Sequence, residues 1–150
     1  MTKPAVTVVW FKRDLRVHDH RPLVEGLRHG PVLPLYVAEP GLWAEPDASL
    51  RQWEFIRESL QELRAELSGL GQPLVVRTGE VTWVLSELAE RFSLRAVNAH
   101  QETGNNWTYQ RDLRVTNWCR SHGVEFREWL QFGVFRRLPS RDGWSKKWAP

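Results

Sequence analysis

The stretch Val6–His20, VTVVWFKRDLRVHDH, constrains the fold of this chain more than any other segment. An apolar run from Val6 to Phe11 is followed directly by charged residues that do not continue its pattern. A short, uninterrupted apolar run is typical of a strand that is buried on both faces of a parallel sheet. We therefore predict that Val6–Phe11 is the first strand of an α/β sheet. The charged loop then lies at the carboxyl end of the sheet, where open α/β folds bind ligands.

The rest of the chain alternates strand-like and helix-like patterns. Further strands are predicted at Pro31–Ala38, Leu74–Arg77, Leu94–His100 and Val124–Leu130, a loop at Glu39–Ala48, and helices that begin near Asp19, Ser49, Glu80 and Trp107. This alternation predicts a Rossmann-like three-layer α/β/α fold with a five-stranded parallel sheet in the order 3-2-1-4-5. We expect residues 1–130 to form the domain and the basic segment 131–150 to be a connector that leaves it.

Composition excludes several classes of protein but selects none. Lysine and arginine number 21 against 18 acidic residues, and a formal net charge of +3 fits contact with phosphate or an ordinary solvated surface. The single cysteine, Cys119, excludes an internal disulfide and a cysteine metal cluster, and it fits a core position in a cytoplasmic protein. No apolar run approaches the ~20 residues that a membrane-spanning helix needs.

The loop after the first strand lacks both the GxGxxG fingerprint and the Walker phosphate loop. It carries Arg13, Asp14, Arg16 and Asp19 instead. These residues can form an internal ion-pair network or offer hydrogen bonds to an anionic or carbonyl-rich ligand, and the sequence leaves both open. Arg13 and Asp14 follow the strand directly, which favours contact with a ligand.

The predicted strand order places the loop after the fourth strand beside the first loop. There Gln101 and Glu102 could bond a heterocycle, while Thr103 and Asn106 fit caps of the following helix equally well. His100 has no second histidine or cysteine predicted nearby, so we do not expect a metal site. On that helix, the Arg111-Asp112 pair is expected to be solvated or to lie in an interface. Because we find no nucleophile–base constellation, the sequence favours a binding domain without catalytic residues.

The segment WFKRDLRVHDHRPL resembles the first strand and loop of the photolyase/cryptochrome family. The matching residues are Trp10, Phe11, Arg13, Asp14, Leu15, Arg16, Asp19 and Leu23. Lys12 and His20 stand at positions where variation within the family is familiar. Further similarities lie in PVLPLYVAEP, in the helix that contains Arg51 and Phe55, and in Arg111-Asp112 with Val115.

This resemblance implies the amino-terminal α/β domain of a protein whose larger carboxyl-terminal helical domain holds catalytic FAD and the DNA lesion. We therefore expect a fragment that is inactive alone, with that helical domain as its partner and damaged DNA bound through it. The parent would be a deoxyribodipyrimidine photo-lyase that repairs cyclobutane pyrimidine dimers with blue light. A cryptochrome photoreceptor is the alternative within the family, and a free-standing nucleotide-binding α/β module is the alternative outside it. The oligomeric state stays open.

In the family, this domain holds a light-harvesting antenna chromophore, which is a deazaflavin, FMN or FAD, or a reduced folate. The resemblance leaves these open, although a folate would sit between the two domains and should be largely lost from a fragment. Carried over by position, the residues that would surround the antenna are Arg13, Asp14, Leu15, Val37, Ala38, Glu39, Arg51, Phe55, Gln101, Glu102 and Thr103. For Arg51 and Phe55, ordinary helix packing is an equally good explanation.

Overall fold

The computed structural model describes residues 2–136 and 138–147. The strands are β1 (Ala5–Phe11), β2 (Val32–Ala38), β3 (Val75–Thr78), β4 (Ser93–His100) and β5 (Glu125–Trp129). The helices are α1 (Arg21–Arg28), α2 (Pro40–Trp43), α3 (Leu50–Gly69), α4 (Val81–Arg91) and α5 (Asn106–Ser121). All paired strands are parallel, and the sheet order is β3-β2-β1-β4-β5. The predicted fold class and strand order are therefore confirmed.

Strand β1 lies at the centre of the sheet and contributes side chains to a core on each face. Val8 and Trp10 pack in the cluster that contains α4 and α5 residues. Val9 and Phe11 pack in the opposite cluster with Leu23 of α1 and with residues of α3. Successive side chains of a strand point to opposite faces, so a continuous apolar run serves both layers of helices. None of the helices among the described residues is long and apolar enough to cross a membrane.

The beginning of α1 differs from the prediction. The helix is capped by His20, whose Nδ1 accepts a hydrogen bond from the backbone N–H of Leu23 at 3.2 Å. Asp19, near which this helix is predicted to begin and which could cap it, instead has a φ of 48° in the left-handed region. The prediction failed because a histidine is an unusual cap, and this one is held in place by Asp14.

The loop predicted at Glu39–Ala48 contains the four-residue helix α2, which begins with a proline at its first position. The next helix, α3, starts as predicted at Ser49, which forms a capping box with Gln52. The apolar residues of α3 are only partly buried. Leu63 and Leu67 lie in the core, whereas Phe55 is 68% exposed. The amino-terminal half of α3 is therefore available to line a cavity.

The segment after β5 was predicted to leave the domain. Its described part, residues 131–136 and 138–147, includes a 3-10 turn at Trp144–Lys147. Arg136 of this segment bonds back to the domain through the carboxylate of Asp112 at 2.9 Å. Arg137 and Trp148, which belong to the same predicted connector, lie outside the described residues.

Candidate functional site

A cavity of about 520 Å³ opens at the carboxyl ends of β1 and β2, beneath α2 and the start of α3. Its apolar walls come from the strands and from these two helices. They include Trp10, Phe11, Tyr36, Val37, Leu42, Trp43, Phe55 and Ile56. This volume is in the usual range of pockets for small molecules and cofactors. Flat aromatic surfaces on several sides favour a flat apolar ligand.

One end of the cavity is closed by a buried charge cluster centred on Arg111 of α5. Its Nη1 donates to Oε2 of Glu39 at 2.9 Å, its Nη2 donates to Oε2 of Glu102, and its Nε and Nη2 donate to Asp112 at 3.1 and 3.0 Å. The prediction that Arg111 and Asp112 form a solvated or interface pair is wrong, because both residues are buried inside this domain. The guanidinium also lies 4.8 Å from the ring centroid of Trp10, a cation–π distance.

Burial raises the pKa of two acidic groups in the cavity wall, the carboxyl of Glu39 and the hydroxyl of Tyr36. It raises the pKa of Glu39 to about 7, although the charge and hydrogen bond of Arg111 oppose that shift. Burial also raises the pKa of the Tyr36 hydroxyl above its usual range, and the nearby carboxylates of Glu39 and Glu102 add to this effect. The cavity therefore holds one carboxyl group that changes charge near neutral pH.

The mouth of the cavity carries exposed cations. The side chain of Arg13 is 59% exposed, and its Nε lies 2.9 Å from Oε1 of Glu102. Arg51 at the start of α3 is also exposed and lines the cavity. On the same side, Asp47 accepts hydrogen bonds from the side chain of Asn105, the N-cap of α5. An anionic tail of a ligand would meet Arg13 and Arg51 as it leaves the cavity.

A second buried cluster joins Asp14 to two histidines. Oδ2 of Asp14 lies 2.6 Å from Nε2 of His20 and 2.8 Å from Nδ1 of His100, while Oδ1 accepts from the backbone N–H of Lys12 at 2.8 Å. Burial alone would raise the pKa of Asp14. The hydrogen bonds from His100 and His20 outweigh it and hold that pKa well below its usual range.

The expectation that no second histidine would lie near His100 is therefore wrong. The candidate ligand atoms of Asp14, His20 and His100 all lie within 4.8 Å of one another. A metal-bound imidazole usually donates its other N–H to an acceptor. Nδ1 of His20 instead accepts a hydrogen bond from the N–H of Leu23. This pattern suits a carboxylate shared by two imidazole N–H donors better than it suits a metal ion.

A buried ion-pair network continues from the cavity toward the segment after β5. Nζ of Lys12 lies 3.3 Å from Oδ2 of Asp112 and 3.6 Å from Oε1 of Glu128. Arg136 approaches the same two carboxylates at 2.9 and 3.5 Å and donates to the backbone carbonyl of Glu102. Lys12 of the cavity wall and Arg136 of the segment after β5 thus pair with the same two carboxylates.

The predicted site residues separate into three groups. Six of them line the large cavity: Arg13, Val37, Glu39, Arg51, Phe55 and Glu102. Asp14, Gln101 and Thr103 border a neighbouring cavity of about 140 Å³. Leu15 and Ala38 line neither of these two cavities and pack against the core cluster of Phe11. Whether any of these residues binds a cofactor stays a prediction.

Sequence reasoning missed several residues of the large cavity. Trp10, Phe11 and Tyr36 were read only as strand residues, and Trp43 lies on a helix that was not predicted. The signal for the strand residues was available, because the last side chains of neighbouring parallel strands lie at one edge of the sheet. The burial of Arg111 gave no such signal, because its partner Glu39 is 72 residues away in sequence.

The fold is a Rossmann-like α/β domain with an aromatic-walled cavity at the carboxyl edge of its sheet. The chain belongs to the DNA photolyase family, whose profile matches residues 7–131. It corresponds to the amino-terminal α/β domain of that family.

The similar proteins are photolyases and cryptochromes. The chain is 33% identical over 115 residues to Cryptochrome DASH of Gloeobacter violaceus, covering 72% of this chain and 23% of the relative. It is 34% identical over 124 residues to Blue-light photoreceptor PHR2 of Arabidopsis thaliana, covering 79% of this chain and 28% of the relative. It is 42% identical over 72 residues to the deoxyribodipyrimidine photo-lyase of Escherichia coli, covering 47% and 15%.

The solved structures agree with this assignment. A bacterial class III photolyase from Agrobacterium tumefaciens superposes with a TM-score of 0.79 at 26% identity, covering 95% of this chain and 30% of that protein. The Synechocystis cryptochrome shares the fold, with a TM-score of 0.80 at 24% identity over 87% of this chain and 28% of that one. The chain thus spans less than a third of the length of these relatives.

Proposed function

We propose that this chain is the antenna-binding domain of a photolyase-like flavoprotein, and that the cavity at β1 and β2 holds the light-harvesting chromophore. The observation that carries this proposal is the cavity itself. It combines aromatic walls, a buried polar end and exposed arginines at the mouth. A conjugated ring system with an anionic tail, such as FMN or a phosphorylated deazaflavin, matches each of these parts.

The cavity does not need a reactive side chain for this role. An antenna absorbs light and passes excitation energy to a second chromophore, so its protein site has only to bind and orient the ring. Lys12 and Arg111, the buried cations that line the cavity, are both paired with carboxylates. Binding of an uncharged ring face therefore leaves no buried cation unpaired.

In the whole protein, we propose that the excitation passes to FAD in a carboxyl-terminal helical domain, where blue light drives repair of cyclobutane pyrimidine dimers in DNA. A cryptochrome photoreceptor is the second candidate, and it is favoured by the relatives that carry the name Cryptochrome DASH. We further propose a cytoplasmic location, which fits the buried free thiol of Cys119.

Titration of the 150-residue chain with FMN tests the binding proposal. Flavin fluorescence is followed for the wild type, for Arg13→Ala and for Arg21→Ala as the matched control. Arg21 lies on α1 outside the cavity, with a side chain that is 67% exposed. We expect wild-type binding, an about 5- to 10-fold weaker affinity for Arg13→Ala as one charge-assisted contact is lost, and no change for Arg21→Ala. Failure of FMN and of a phosphorylated deazaflavin to bind the wild type would refute the proposal.

A second experiment separates antenna binding from repair. The 150-residue chain is mixed with reduced FAD and an oligonucleotide that contains a pyrimidine dimer, and the mixture is irradiated with blue light. We expect no repair, because the family's catalytic FAD would be held elsewhere. Lesion reversal above that of free reduced FAD would contradict the assignment of this chain to light harvesting alone.

A further inference from the structure

We propose that Glu39 determines how the ring enters the cavity: its carboxylate accepts a hydrogen bond from a ring N–H, so the buried edge of the ligand must carry that donor. The inference rests on the proposed function and deepens it. Glu39 would select ligands whose buried edge carries an N–H donor. This contact would place that end of the ring deepest in the cavity.

The first observation is an unused acceptor on a buried side chain. Glu39 is only 4% exposed and lines the cavity. Its Oε2 accepts from Nη1 of Arg111 at 2.9 Å, whereas none of the hydrogen bonds among the described residues goes to its Oε1. A carboxylate oxygen that faces a cavity without a protein donor can accept a hydrogen bond from a ligand N–H at that position.

In the neighbouring carboxylates, both oxygens already have partners. Glu102 has Arg13 beside Oε1 and Arg111 on Oε2. Asp47 at the mouth has both oxygens within hydrogen-bond distance of Asn105 Nδ2, at 3.1 and 3.2 Å. Among the acidic side chains that line the cavity in the described part of the chain, Glu39 is thus the one with an oxygen left for the ligand.

The ring systems that suit the cavity carry such a donor. Flavins and deazaflavins have an imide N–H, the N3 position, between two carbonyl groups at one end of the ring, and reduced pterins have an amide N–H at the corresponding position. The opposite end of a flavin carries methyl groups and no donor. Contact with Glu39 therefore places the pyrimidine-like end against Arg111 and leaves the ribityl tail free to reach the mouth.

The charge state of Glu39 gives the contact a pH dependence. The groups that face it are Tyr36 of β2, Glu102 of the loop after β4, and Arg111 and Asp112 of α5. Burial raises the pKa of Glu39 to about 7, and protonation removes the negative charge that an N–H donor prefers. Affinity for a ring with a free N–H should therefore increase as the pH rises from 6 to 8.

The test compares riboflavin with 3-methylriboflavin, which has a methyl group in place of the donor hydrogen. Dissociation constants are measured for the wild type, Glu39→Gln and Glu39→Ala, with Glu125→Gln on β5 as the matched control. In Glu39→Gln at pH 8, we expect riboflavin to bind about 10-fold more weakly, because a neutral amide oxygen replaces the charged acceptor, and 3-methylriboflavin to change by less than about 3-fold. Glu39→Ala makes room for the methyl group and should bind 3-methylriboflavin more tightly than the wild type does.

The outcomes separate this inference from the proposed function. Equal weakening of both ligands in Glu39→Gln would indicate that Glu39 only supports Arg111, and it would overturn the inference while leaving antenna binding intact. Equal affinity of the wild type for both ligands would overturn it as well. If no flavin or deazaflavin binds the wild type, the proposed function fails and the inference fails with it. Circular dichroism and thermal unfolding establish that each variant is folded.

Discussion

The Asp14 cluster leads to a prediction about stability that does not involve any ligand. The substitution Asp14→Asn keeps the shape of the side chain and removes its charge. In the wild type, the two carboxylate oxygens accept from Lys12 N–H, His20 Nε2 and His100 Nδ1 at 2.8, 2.6 and 2.8 Å. An asparagine has one acceptor oxygen, and its amide group would face at least one of these donors.

The size of the effect follows from the bonds that are lost. A hydrogen bond to a charged group contributes about 1.5–3 kcal/mol, and at least one of the three must break while another loses its charge. We therefore expect Asp14→Asn to lower the free energy of unfolding by about 3 kcal/mol at pH 5. The free energy of unfolding of a typical domain, roughly 5–15 kcal/mol, exceeds this loss, so the variant should still fold.

The same cluster fixes the sign of the pH dependence. The pKa of Asp14 is lower in the folded chain than in the unfolded chain, so the unfolded chain binds more protons in acid. Its stabilising contribution is present above the unfolded pKa of about 4 and is lost as the pH falls below it. The difference between wild type and Asp14→Asn should thus shrink by up to about 1.4 kcal/mol per pH unit below pH 4.

Urea unfolding followed by tryptophan fluorescence at pH 5, 4, 3 and 2.5 measures this difference. Asp19→Asn is the matched control, because Asp19 is exposed in the same loop and lies five residues away. Its left-handed backbone suits asparagine, so we expect a change within about 0.5 kcal/mol. A difference for Asp14→Asn that is below 1 kcal/mol at pH 5, or one that grows in acid, would refute this account of the cluster.

Three further predictions concern packing at glycines, the reactivity of the buried thiol and a buried ion pair. A Cβ on Gly26 would lie 2.9 Å from Val32 Cγ1, so Gly26→Ala should lower the free energy of unfolding in the same urea assay by about 1–3 kcal/mol. Gly69 has open space around it, so Gly69→Ala should raise the free energy of unfolding slightly. Cys119 is buried, and burial raises its pKa to about 12, so labelling by a thiol reagent should occur only at the rate of unfolding. Lys12→Met should lower the free energy of unfolding by about 3–5 kcal/mol, because it removes a positive charge beside the buried carboxylate of Asp112. An unchanged midpoint of thermal or urea unfolding would show that the Lys12–Asp112 pair does not stabilise the fold.

The strands and the beginning of α3 could be predicted because short sequence patterns are enough to determine these elements. The run Val6–Phe11 is long enough for one strand and too short for a typical helix, and its lack of alternation requires burial on both faces. Ser49 with Gln52 marks the beginning of α3 by a reciprocal pair of hydrogen bonds. Errors at the ends of elements arose where a tertiary contact decides, as at His20, which is held by Asp14.

Fewer residues of the candidate site could be predicted from the sequence. Residues that follow a strand directly, such as Arg13, could be placed at the edge of the sheet by topology alone. The burial of Arg111 could not, because it depends on Glu39, which reaches the cluster from the end of another strand. The position of Phe55 on a cavity wall could not be predicted either, because α2 completes that cavity and is a four-residue helix whose sequence has too little periodicity to predict.

The sharing of Glu102 has a consequence for how this family can change over evolutionary time. Its carboxylate meets Arg13 at the mouth and Arg111 in the interior, and its backbone carbonyl accepts from Arg136 of the segment after β5. A substitution at position 102 alone would remove one of the three carboxylates around Arg111 and the partner of Arg13. Positions 13 and 102 should therefore covary among homologues, whereas position 111, which also faces Glu39 and Asp112, should accept only a basic residue.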